Sequence, residues 1–180
     1  LVAAGVERVV IFKNMTGNAT AQTEIDAFGL PAGAVIHVPF HWKDLPDFET
    51  PCEETLEALR FIRDAADDDK TVFFHCTVGE DRTGYLAALH AVLFEGADAA
   101  RAYDLDMCEH GYGRGNPQKP AFVVGKLEDS LTPLYRSMAF LIQEGKLTSA
   151  LEPSSGAAEP DVPDGFLEEL ACGTSTTLVP

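Results

Sequence analysis

Residues 71–94 read Thr71-Val72-Phe73-Phe74-His75-Cys76-Thr77-Val78-Gly79-Glu80-Asp81-Arg82-Thr83-Gly84-Tyr85-Leu86-Ala87-Ala88-Leu89-His90-Ala91-Val92-Leu93-Phe94. The opening apolar run suits a strand, and the run after Gly84 reads as a buried helix. A strand, a tight loop and a helix N-terminus therefore come one after another. In that order the loop becomes an anion site, because backbone N–H groups converge there and the helix dipole turns its positive end toward them. A Cys begins the loop and an Arg closes it, with five residues between. That spacing sets a thiol beneath a bound oxyanion and a forked guanidinium beside it.

On the N-terminal side, residues 6–12 are rich in β-branched side chains and predict a strand. A polar loop over 13–23 leads to a short helix over 23–28, ended by Gly29 with Pro31 beyond. Residues 34–40 predict a second strand, and 41–50 a loop. Thr50, Pro51 and Glu53 then suit the N-cap, N1 and N3 positions of a helix, with Leu56, Leu59, Phe61 and Ile62 as its apolar stripe. Residues 71–76 form the third strand, expected at the sheet centre from its unbroken apolar content.

Beyond the loop helix, 97–109 reads as helical up to Gly111 and Gly113. Residues 112–120 read as a loop carrying Arg114 and Lys119, and 128–143 as a helix limited or kinked by Pro133. Pro, Ser, Gly and acidic residues over 149–164 suggest a linker, 166–170 a docked turn and 173–180 a frayed end. Strands separated by helices indicate an α/β fold, a central mainly parallel sheet flanked by helices. The expected division is a domain over 1–148 and a Pro/Ser/acid-rich tail over 149–180. Ligands of such sheets bind beyond the strand C-terminal ends, where Cys76 falls.

The chain has 180 residues, enough for one domain with a substantial core. A formal net charge of -16 argues against nucleic acid or an anionic membrane as partner, since both need a basic face. The longest apolar stretch, 86–94, is too short for stable membrane insertion, and the mean hydropathy of -0.02 suits a soluble protein. The four cysteines are scattered, without a zinc cluster or a disulfide-dense scaffold. Cys52 and Cys108 read as small buried hydrophobes, ahead of a disulfide with Cys76. His37 and His90 lie in apolar runs and read as core residues, so no metal or cofactor is called for. The sequence begins at Leu1 without Met or a signal-peptide pattern, which suggests a trimmed start and leaves the compartment open.

His75-Cys76, five residues, then Arg82-Thr83-Gly84 resembles the signature of the cysteine-dependent protein tyrosine phosphatases. The small size resembles their dual-specificity branch, with kinship to the tyrosine-phosphatase-type phytases. The match is strong over 71–94, holds in outline from 6 to 122, and is absent from 149 onward. The resemblance implies a phosphate monoester hydrolase, without metal, acting through a cysteinyl-phosphate. Cys76 is then the nucleophile, Arg82 clamps two phosphoryl oxygens, and the amides of Thr77, Val78, Gly79, Glu80, Asp81 and Arg82 line the cradle. His75 orders the loop, and Thr83 assists breakdown of the intermediate. A phosphorylated protein leads as substrate, with a phosphorylated inositol or phosphoinositide as alternative. A silent phosphate-binding module fits less well, having no need of a thiol.

Two features of the signature region stand out. Family members usually carry further strands upstream of the one at 6–12. Glu80 and Asp81 place negative charge at a phosphate site, so they must point away or select against highly charged substrates. The leaving group needs a proton from a neighbouring loop. Asp44 in Trp42-Lys43-Asp44 is the first choice and Asp47 in Leu45-Pro46-Asp47-Phe48 the second. Lys13, His41, Lys43, Arg114 and Lys119 lie on loops able to contact substrate, while Trp42 and Tyr112 are candidates for walling a phenyl ring.

Overall fold

A computed structural model describes residues 4–14, 20–43, 45, 47–151 and 158–172. Strands β1 (Arg8–Phe12), β2 (Val35–Val38) and β3 (Val72–His75) form a parallel sheet in the order β2-β1-β3. The α/β reading with a parallel sheet flanked by helices holds. The place of β3 does not: among the described residues it is an edge strand, and β1 is the centre. Val9 to Phe12 of β1 are fully buried, whereas every residue of β3 keeps partial exposure. Apolar content alone did not separate the two, because half-buried phenylalanines at an edge and fully buried ones at a centre look alike in sequence.

The register brings the strand ends together. Phe12 pairs with Val38, and Ile11 pairs with both His37 and His75. The segments leaving the three strands therefore emerge on one side of the sheet.

Helix α1 (Ala21–Phe28) starts where the Thr23 N–H donates to Thr20 Oγ1 at 3.1 Å, and it ends at Gly29. Helix α2 (Glu49–Asp67) packs against all three strands through Leu56, Ala58, Leu59 and Ile62. It begins slightly earlier than expected, and its side-chain cap is not Thr50. Asp47 Oδ1 accepts the Thr50 N–H at 2.8 Å, so a carboxylate meets the positive end of the helix. Helix α3 (Asp81–Phe94) comes after the loop that leaves β3 and packs against α2 and β3. The Tyr85 hydroxyl on α3 lies 3.1 Å from Thr55 Oγ1 on α2, tying the two helices inside the core.

Helix α4 (Ala99–Ala102) runs through a π turn (Tyr103–Met107) into a 3₁₀ turn (Cys108–His110). Helix α5 (Ala121–Lys126) runs through a second π turn (Leu127–Leu131) into α6 (Thr132–Gln143). Pro133 has no N–H to return to a carbonyl four residues back, and the change of winding falls just before it. Tyr103 and Tyr112 are buried against this junction, with the Tyr112 hydroxyl 2.8 Å from Thr132 Oγ1.

Cys108 is bonded to Cys172 across 64 residues of chain, which corrects its reading as a free buried hydrophobe. Cys52 is the buried free thiol that the sequence suggested. The segment read as a linker is anchored at its start: Leu151 is buried, and its carbonyl accepts Arg60 Nε at 3.0 Å. Phe166 packs against Phe140, and its carbonyl accepts Arg136 Nε and Nη2 at 3.0 and 2.9 Å. The expectation of a frayed end over 173–180 lies outside the described residues. No described helix is long and apolar enough to cross a membrane.

Closing a loop of that length restricts the unfolded chain, and a bridge of this kind contributes about 2–4 kcal/mol. Cys172→Ala is therefore expected to lower the urea unfolding midpoint, and reduction of the unmutated protein to do the same. Coincident curves for oxidised and reduced protein would contradict this.

Candidate active site

Cys76 comes directly after β3, and its side chain is almost fully buried. Its own N–H donates to Thr83 Oγ1 at 3.0 Å, closing the loop onto the first turn of α3. Gly79 sits at φ +80° within the loop, a conformation that a side chain would strain. Gly84 lets α3 approach the first π turn: a Cβ there would stand 2.7 Å from the Asp106 carbonyl oxygen. Both glycines of the signature thus have steric reasons.

Burial pushes the Cys76 thiol up, since a buried anion loses its water. Opposing contributions outweigh it and leave the thiol below its ordinary value: hydrogen bonds from the Thr83 hydroxyl and N–H, one from the Val78 N–H, and the nearby Arg82 charge. Cys52 shows the contrast, for burial without such donors pushes it up to about 11. Arg82 is itself buried; Nη2 donates to Thr77 Oγ1 at 2.8 Å and Nη1 to the Phe40 carbonyl at 3.4 Å. Burial lowers its pKa, while Cys76 and Asp81 act in the opposite sense. The guanidinium is thus anchored on one side by the segment after β2 and on the other by the loop.

A cavity of about 340 Å³ opens over the sulfur, lined by Asn14, His41, Trp42, Lys43, Cys76, Thr77, Val78, Asp81 and Arg82. Trp42, His41 and Lys43 thus take the places suggested from sequence. Asn14 was not singled out, although its position just after β1 at the strand C-terminal ends is the signal that would have found it; its Nδ2 lies 2.6 Å from His41 Nδ1. Tyr112 is buried in the α5–α6 junction and walls no part of this cavity. His75 Nδ1 lies 2.8 Å from the Cys76 carbonyl oxygen. Its Nε2 is 3.3 Å from Glu24 Oε1 but off the line of a hydrogen bond, so this buried nitrogen has no hydrogen-bond partner among the described residues.

Three of the suggested substrate cations are engaged elsewhere. Lys13 Nζ pairs with Glu24 at 2.9 Å and Arg114 Nε with Glu128 at 3.1 Å. Lys119 pairs with both Glu80 and Asp81. Asp47 is occupied in capping α2 and lines a different cavity, together with Leu45, Phe48, Ser130 and Ser137. Asp44 lies outside the described residues. On the described side of it, the Trp42 carbonyl lies 3.2 Å from Ser130 Oγ of the second π turn, whose one proton is shared with the nearer Lys126 carbonyl. Among the described residues no group of three or more His, Cys, Asp or Glu side chains is placed to hold a metal ion.

A family model described as "Polymorphic toxin system, DSP-PTPase phosphatase" matches residues 1–97, which include β1 to α3 and the whole Cys76–Arg82 loop. The chain belongs to this family. It is a phosphatase of the dual-specificity and tyrosine phosphatase type, acting on phosphorylated substrates. No curated protein matches the chain. Solved structures similar to this phosphatase include PTP-2 from Cydia pomonella, at 20% identity and TM-score 0.47, covering 57% of this chain and 61% of that one. TpbA from P. aeruginosa is similar at 23% identity and TM-score 0.45, covering 77% of this chain and 76% of that one. Human DUSP28 is similar at 15% identity and TM-score 0.47, covering 81% and 79%.

Alkylation of each cysteine, coupled to mass spectrometry across pH, separates the two free thiols. Cys76 is expected to react with a midpoint below the ordinary thiol value of about 8.5, and Cys52 only at strongly alkaline pH. Thr83→Val removes the hydroxyl donor and is expected to move the Cys76 midpoint upward. An unmoved midpoint would take Thr83 out of the account.

Proposed function

We propose that this phosphatase hydrolyses phosphate monoesters through a cysteinyl-phosphate formed on Cys76, within a catalytic unit spanning residues 1–148. The observation that carries this reading is the meeting, in one cavity, of the buried Arg82 fork and a thiol that hydrogen bonds from Thr83 hold below its ordinary pKa. In the first step the Cys76 sulfur attacks phosphorus, the S–P bond forms, and the ester P–O bond breaks. The leaving oxygen takes a proton from the general acid. In the second step water attacks the phosphocysteine, gives a proton to the same acid group, and releases inorganic phosphate and the thiolate. Arg82 and the loop amides bear the charge that builds on the equatorial oxygens. His75 holds the loop through its contact with the Cys76 carbonyl.

Asp44 is assigned as the acid. Support comes from its neighbours, since Trp42 and Lys43 line the cavity over the sulfur, and from Asp47, whose carboxylate caps α2 and lines another cavity.

The substrate class proposed is a phosphorylated protein side chain, phosphotyrosine foremost. Trp42 and Val78 give the cavity an apolar wall against which a ring can lie, with Lys43 as its cationic side chain beside Arg82 and His41 as a polar one. A polyphosphorylated inositol needs several available cations, and Lys13, Arg114 and Lys119 are each paired with carboxylates. The family description names polymorphic toxin systems. We carry this over as the proposal that the enzyme removes phosphate from proteins of a target cell. The Cys108–Cys172 bridge suits a chain that meets an oxidising compartment on the way.

Hydrolysis of para-nitrophenyl phosphate by the unmutated protein and its loss in Cys76→Ser are expected; an inactive unmutated protein would sink the reading. With a phosphotyrosine peptide, Asp44→Asn is expected to lower kcat by about 10²–10⁴-fold. Asp47→Asn, which keeps an oxygen acceptor for the cap, is expected to leave kcat within a few-fold and stability nearly unchanged, whereas Asp47→Ala is expected to cost about 1 kcal/mol of stability through loss of the cap. The reverse pattern would reassign the acid.

A further inference from the structure

The two carboxylates of the phosphate loop have a shared partner that comes from another part of the fold. Lys119 Nζ lies 3.0 Å from Glu80 Oε2 and is hydrogen-bonded to Asp81 Oδ1, and its side chain is only 6% exposed. Asn116 Nδ2 reaches the same Glu80 carboxylate, at 3.2 and 3.4 Å from its two oxygens. The turn presenting both donors is itself fixed. The Gln118 N–H donates to Asn116 Oδ1 at 2.9 Å, and the Lys119 N–H to the Asn116 carbonyl at 3.0 Å. Lys119 does not line the cavity over Cys76, whereas Asp81 does.

Without Lys119, a phosphate entering that cavity meets Arg82 with the Asp81 carboxylate unpaired on the cavity wall and the charge of Glu80, held only by Asn116, just behind it. A buried lysine also loses hydration and rotamer freedom, which is repaid only where strong partners wait. From this geometry we infer that Lys119 is a positioning residue for the phosphatase reaction: by cancelling charge on Glu80 and Asp81 from outside the cavity, it sets the affinity of the loop for the phosphoryl group. The inference rests on the reading of the Cys76 loop as the phosphate site. From sequence Lys119 stood only on a loop able to contact substrate, and here it is buried on the two loop carboxylates instead. The trio of Lys119, Glu80 and Asp81 carries a net charge of -1, Lys119→Met makes it -2, and Lys119→Met with Glu80→Gln returns it to -1.

The test measures competitive inhibition by inorganic phosphate, together with KM and kcat for para-nitrophenyl phosphate. Lys119→Met is expected to raise the phosphate inhibition constant and KM on the order of tenfold, with a smaller change in kcat. Lys119→Arg and the Lys119→Met/Glu80→Gln pair are expected to return both constants to within about threefold of the unmutated values. An unchanged inhibition constant in Lys119→Met overturns the inference. So does a raised constant that the charge-restoring pair fails to recover, because that is how a purely steric prop behaves. Should Lys119→Met not fold, Glu80→Gln alone is expected to tighten phosphate binding, and unchanged or weaker binding is the contrary result. Failure of the unmutated protein to hydrolyse the ester or to be inhibited by phosphate counts instead against the reading of the site.

Discussion

Holding a buried thiol below its ordinary pKa is the constraint that governs this structure. Burial alone drives a thiol toward its neutral form, as Cys52 shows. Cys76 escapes that outcome because hydrogen bonds from Thr83 and Val78 and the charge of Arg82 converge on it. Arg82 is a buried cation and needs partners of its own, found in Thr77 Oγ1 and the Phe40 carbonyl. The acidic residues just before Arg82 are matched in turn by Lys119. Compensation thus comes mainly from within the loop and the first turn of its helix, with Phe40 and Lys119 reaching in from other segments, and an acidic chain can hold an anion-binding loop.

The fold supplies those segments by register. Three parallel strands end together, so the segment after β1 brings Asn14, the segment after β2 brings Phe40 to Lys43, and the segment after β3 is the loop itself. Helix α3 then approaches the first π turn at Gly84, while the second π turn sends Ser130 to the Trp42 carbonyl. On the proposed mechanism this last contact steadies the segment that supplies the acid. Stability and reactivity therefore meet at a few backbone carbonyls, those of Phe40, Trp42 and Asp106.

The strand–loop–helix unit was legible in sequence because its order is local: an apolar run, a Cys-to-Arg spacing, a glycine at a left-handed position, and a buried helix. The features that escaped depended on contacts distant in sequence. The edge position of β3 is decided by which strands pair, and not by its own composition. Cys108 and Cys172 stand far apart in sequence, and the docking of Phe166 on Phe140 and Arg136 helps carry the second toward the first. Asp47 looked like an acid-loop residue because Pro-Asp-Phe fits that role as well as it fits a helix cap. Tyr112 and Lys119 looked like loop residues facing solvent or substrate, and both turned inward because hydroxyl and carboxylate partners were waiting there.

On the proposed mechanism, Cys76 carries the phosphoryl group between substrate and water. Acid-quenching the enzyme during turnover of para-nitrophenyl phosphate, then mapping its peptides by mass spectrometry, tests this step at the reacting atom. A phosphoryl adduct is expected on the Cys76 peptide, appearing on the timescale of turnover and absent in Cys76→Ser. A phosphoryl adduct on any other residue during turnover, with the Cys76 peptide unmodified throughout, would contradict it.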